Sequence, residues 1–69
     1  MLSFEVIESG KAIQICVDDE GLSILRNALD RVTSSGHIHL RTLACGGNDL
    51  NDVNPWGQAA IAEVIITSA

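Results

Sequence analysis

The chain has 69 residues, nine of them acidic and four basic, for a net charge of -5, and 46% of it is hydrophobic. A chain this short buries only about 60% of its unfolded surface, so a single domain spanning residues 1–69 with little room for a deep pocket is expected. The four cations, Lys11, Arg26, Arg31 and Arg41, form no run that would follow a phosphate backbone, which argues against direct nucleic-acid binding and leaves either simple solubility or a basic partner as the meaning of the charge.

In residues 2–8, Leu2, Phe4 and Val6 alternate with Ser3 and Glu5, the period of a half-buried strand. Ser9, Gly10 and Lys11 supply turn chemistry. Residues 12–17 then repeat the alternation, with Ile13, Ile15 and Val17 expected inward, so the pair reads as a β-hairpin. The period changes after Val17. Asp18 or Asp19 can cap the free amides of a helix, with Glu20 adding negative charge near its positive end. Leu22, Leu25, Leu29 and Val32, widened by Ile24 and Ala28, form the apolar stripe of a helix of about four turns, opposite Arg26, Asn27, Asp30 and Arg31. Gly36 can close that helix in a left-handed conformation.

Residues 37–42 alternate again, with Ile38 and Leu40 inward and His37, His39 and Arg41 on the opposite face. Residues 44–57 are rich in Gly, Asn and Asp, contain no Lys or Arg, and form a long loop. The β-branched run 60–67 predicts a last strand with Ala62, Val64 and Ile66 inward and Glu63 outward. The expected architecture is an α+β two-layer sandwich in ββαββ order, one amphipathic helix on a mostly antiparallel four-stranded sheet. One helix covers one face only. The other face is expected to stay open and to present Ser3, Glu5, Ile7, Gln14, Cys16, His37, His39, Arg41, Ile61, Glu63 and Ile65, a mixture suited to a partner or a homodimer.

The first residues lack the positive stretch and long apolar core of an export signal, and no apolar run approaches the roughly 18 residues of a membrane span. The expected location is the cytoplasm, away from membranes, with Cys16 and Cys45 as free thiols.

Chemistry-bearing motifs are sparse. His37 and His39 point the same way and could supply two zinc ligands, with Cys16 and Cys45 as conceivable third and fourth, but CxxC and HxxxH spacings are missing, so no metal or other cofactor is expected. Cys45 precedes Gly46 and Gly47, small neighbours that let a substrate approach. A flexible turn explains them equally well, and no enzyme is expected. Asp52, Asn54, Gly57 and Glu63 match part of a calcium-loop pattern, which fails at Trp56 and lacks flanking helices. What stands above this background is the loop itself, with Trp56 among Asn48, Asp49, Asn51, Asp52 and Asn54. Trp56 either folds back over the end of the core or serves as the anchor of a binding surface.

The hairpin, the acidic helix start at Asp18-Asp19-Glu20-Gly21-Leu22, then Gly36-His37-Ile38-His39-Leu40, Gly47-Asn48-Asp49-Leu50 and a closing β-branched strand together resemble the immunity protein 32 family over residues 4–67. Members are small bacterial proteins of polymorphic toxin systems. The resemblance implies a non-enzymatic inhibitor that binds and neutralises a cognate toxin, with His37, His39, Asn48 and Asp49 carrying the motif, and the acidic charge suits a basic toxin such as a nuclease. The expected partner-binding set is His37, His39, Arg41, Asn48, Asp49, Asp52 and Trp56, with partner specificity assigned to the loop around Trp56. The alternatives are a small homo-oligomeric interaction domain and a His/Cys metal-binding domain.

Overall fold

In the computed structural model, which describes residues 1–69, the alternating segments fold as β1 (Leu2–Ile7) and β2 (Ala12–Val17), followed by α1 (Asp19–Ser35), β3 (His37–Arg41) and β4 (Glu63–Thr67). This is the α+β fold in ββαββ order that the hydrophobic periods predict. No helix is long and apolar enough to cross a membrane.

The ends of α1 follow from local chemistry. Asp18 is the N-cap, in extended conformation, and its Oδ1 accepts a hydrogen bond from the Gly21 N–H at 2.8 Å. The same carboxylate pairs with the Met1 amino group. Gly36 terminates the helix at φ 82°, donating its N–H to the Val32 carbonyl. Gly21 has a steric reason to be glycine: a Cβ there would lie 1.7 Å from the Met1 carbonyl oxygen. The missing side chain lets the first turn of α1 sit directly against the start of β1.

The four strands do not join into one sheet. They form two antiparallel ladders, β1–β2 and β3–β4, with Leu2 opposite Val17, Phe4 opposite Ile15, His39 opposite Ile65 and Arg41 opposite Glu63. The physical reason lies at the outer edge of β1, where loop residues take the bonds that another strand would make. Asn51 N–H donates to the Leu2 carbonyl at 2.8 Å, the Leu2 N–H donates to Asn51 Oδ1 at 3.0 Å, and Ile61 N–H donates to the Phe4 carbonyl at 2.8 Å. Asn51, within the long loop, and Ile61, after it, therefore occupy the β1 edge that would face the second ladder.

α1 packs across all four strands. Leu2, Phe4, Ala28, Ile38, Leu40 and Leu50 form the buried core, with Ile24, Leu25, Val32, Ile61, Val64 and Ile66 packed around it. The expected burial of Ile13, Ile15 and Val17 is overturned: register puts Val17 and Ile15 opposite the buried Leu2 and Phe4, yet all three side chains are exposed, Val17 at 41%. Ile13 and Ile15 remain 65% and 47% exposed, and Val6, opposite Ile13, is also exposed. A single helix lying across both ladders is too narrow to reach the far edge of the first. The opposite face of β1 departs from expectation in the other direction: Ser3 and Glu5 are buried rather than open to solvent.

Candidate functional site

The alternation of β3 places His37, His39 and Arg41 on the face away from the core, where β4 adds Glu63, Ile65 and Thr67 by register. Glu63 is the organising group. Its Oε2 accepts a hydrogen bond from Arg41 Nε and lies 3.3 Å from His39 Nδ1. Arg41 Nη2 is in turn 3.2 Å from that Nδ1. The two contacts of the imidazole nitrogen are alternatives, since an unprotonated Nδ1 accepts from Arg41 and a protonated one donates to Glu63. The Arg41 hydrogen bond, followed by the His39 contact, holds the Glu63 carboxyl below its ordinary value of 4.5. His37 meets His39 edge to face, with ring centroids 5.0 Å apart.

The Gly46-Gly47-Asn48-Asp49-Leu50 segment wraps the end of β3. Asp49 and Leu50 N–H groups both donate to the Arg41 carbonyl at 3.1 Å, and the Arg41 N–H points to Asp49 Oδ2 at 3.4 Å. Gly47 lies so close that a Cβ would be 2.7 Å from Arg41 Cβ. Asp49 and Gly47 thus shape the fold as well as the surface, while Asn48 is exposed.

Residues 53–59 form a narrow turn, closed by antiparallel bridging of Val53 with Ala59. Its organiser is Asn54, which is 4% exposed. Asn54 Oδ1 accepts from the N–H groups of Trp56 and Gln58, both at 2.9 Å, while its Nδ2 donates to Glu5 Oε2 at 2.5 Å and Gln58 Oε1 at 3.0 Å. This docking is what buries Glu5. It leaves Pro55, Trp56 and Gly57 at the tip, and Trp56 is 67% exposed. The alternative in which Trp56 covers the core is overturned: Asn54, two residues earlier, is the inward anchor, and the turn carries the indole away.

The expected site is thus distributed. His37, His39 and Arg41 come together, and Asp49 joins them through the backbone of Arg41. Asp52 and Trp56 belong to the separate exposed loop, and no hydrogen bond or ion pair connects them to the histidine face. The face expected to be continuous is divided, because the Asn54 turn occupies the β1 portion.

Cys16 sits on the other hairpin, 3.5 Å from Glu5 Oε1, and Cys45 is exposed on the turn after β3. No group of three or more His, Cys, Asp or Glu gathers as a metal site, and no pocket opens on the surface. The oxygens of the partial calcium pattern are engaged elsewhere: those of Asn54 and Glu63 hold the turn and Arg41. Sequence reasoning missed Asn54 and Glu5 as a pair. The Asn-Pro-Trp-Gly turn signal was present, but its partner lies in the first strand.

No protein-family model, curated protein or solved structure matches the chain.

Proposed function

We propose that the chain is a non-enzymatic, immunity-type protein that binds and neutralises a cognate bacterial toxin in the cytoplasm. The reading begins from the resemblance of residues 4–67 to the immunity protein 32 family and rests on one observation, the exposure of Trp56 on a braced turn. A large aromatic side chain held in solvent by a buried anchor loses little conformational entropy on binding and can supply much of the interface energy. The exposed Asp52 accompanies it in a segment, residues 44–57, that contains no Lys or Arg, and this composition suits a basic partner surface and fast, salt-sensitive association. The exposed His37 and the half-buried His39 and Arg41 form a second contact region.

The test is coexpression with the product of the reading frame adjacent to this gene, chosen for a C-terminal toxin domain, together with a binding measurement on purified proteins. Protection of the cells and a complex weakened more than about tenfold by Trp56→Ala are expected. Absence of protection, or a Trp56→Ala complex as tight as the original, would overturn the reading.

A further inference from the structure

The outer edge of β2 has unmet bonding capacity whose pattern can be worked out from the hairpin. Asp18 N–H donates to the Met1 carbonyl at 3.2 Å, which makes Met1–Asp18 a hydrogen-bonded pair. Hydrogen-bonded and non-hydrogen-bonded pairs alternate along an antiparallel ladder. In the observed register, Ala12, Gln14 and Cys16 therefore bond to β1, whereas the N–H and C=O groups of Ile13, Ile15 and Val17 point outward. The other side of the hairpin obeys the same phase, since the Leu2 and Phe4 carbonyls face away from β2 and accept from Asn51 and Ile61. Nothing plays that role for β2.

The side chains of the same three residues are apolar and 65%, 47% and 41% exposed. Residues 12–17 contain no charge, no proline and no bulge, the devices that normally protect an edge strand. The other ladder is guarded: Glu63, paired with Arg41, begins β4, and Asp49 and Leu50 cap the end of β3.

We propose that the β2 edge pairs with the β2 edge of a second copy of this chain, antiparallel about a two-fold axis through Ile15. In that register Ile15 faces Ile15, and Ile13 of each copy faces Val17 of the other. Each facing pair exchanges two backbone hydrogen bonds, so all the outward groups of the three residues are satisfied. The pairing also brings the two apolar stripes onto one face, and a shift of one residue would lose both matches. Charge favours a second copy in this orientation. Lys11 precedes the strand and Asp18 and Asp19 follow it, so antiparallel self-pairing sets the lysine of each copy against the acidic helix start of the other. A parallel arrangement would place acid against acid. The product is a four-stranded β1–β2–β2–β1 sheet, independent of the toxin-binding reading and on a different part of the molecule.

Sedimentation equilibrium over a concentration series should show mass rising from 7.3 kDa to about twice that value. Ile15→Lys and Ile15→Glu, each placing like charges on the axis, should shift the dimerisation midpoint upward by more than about tenfold, and their equimolar mixture should recover dimers. Circular dichroism with cooperative melting verifies that the variants fold. Hydrogen exchange on the unaltered protein gives a second reading, with protection of the Ile13, Ile15 and Val17 amides increasing with concentration. A monomer at all concentrations would overturn the proposal, as would dimers insensitive to both substitutions or concentration-independent exchange of those amides. A strand from a foreign partner protecting the same amides in a monomeric protein would overturn it too.

Discussion

Asn54 and Glu5, separated by 49 positions in the chain, meet through a buried hydrogen bond from Nδ2 to Oε2 at 2.5 Å. This contact joins the loop that displays Trp56 to the first strand. It explains how an Asn-rich segment holds one shape: the Asn54 carboxamide uses both ends, bonding backbone amides of its own turn with the oxygen and the strand with the nitrogen.

Asn54→Ala should therefore loosen the tip and strand a buried carboxylate. Loss of a buried hydrogen-bond partner to a charged group costs about 1.5–3 kcal/mol. The expected outcome is a clear loss of stability in urea unfolding, with lower fluorescence anisotropy of Trp56 in the folded protein. Unchanged anisotropy would mean that the turn is held by its backbone alone.

Gly21→Ala tests the approach of α1 to the start of β1. Alanine gains about 1 kcal/mol in helix propensity, so an exposed glycine at this position would be improved by the change. Here the new Cβ would meet a backbone carbonyl at 1.7 Å, and Leu2, next to it, is fully buried and cannot move freely. A net loss of about 2 kcal/mol is expected, or roughly 10 °C in melting temperature for a domain of this size.

Ser3 is fully buried, and its hydroxyl has no hydrogen-bond partner. Removing an unsatisfied buried polar atom relieves its desolvation cost. Ser3→Ala should raise stability by about 1 kcal/mol, read as a higher urea midpoint at unchanged slope.

Acid sensitivity should trace to Glu63 and Asp18. The hydrogen bond from Arg41 lowers Glu63 below 4.5, and the hydrogen bond from the Met1 amino group, then that from Gly21, lowers Asp18 below 3.8. A depressed carboxyl binds fewer protons in the folded than in the unfolded state. Its stabilisation is complete above the unfolded value and disappears as pH falls through the folded one. Melting temperature should thus decline below about pH 4.5, and Glu63→Gln should flatten the upper part of that decline. A decline of the same shape in the variant would remove Glu63 from the account.

The elements were legible in the sequence because their causes are local. Alternation of period two in residues 2–8, 12–17 and 37–42, the three- and four-residue spacing from Leu22 to Val32, Asp18 before the helix and Gly36 after it all act within a few residues of chain. The same local geometry put His37, His39 and Arg41 on one face, so that half of the candidate surface could be read in advance. Tertiary structure decided what those elements meet. Asn51 and Ile61 occupy the edge of β1 and divide the expected sheet, Asn54 covers Glu5, and one helix leaves Ile13, Ile15 and Val17 in solvent. Period tells a residue which face it occupies, but only the packed chain determines whether anything covers that face. That depends on hydrogen bonds between residues up to 57 positions apart, such as Phe4 and Ile61, for which the sequence carries no local signal.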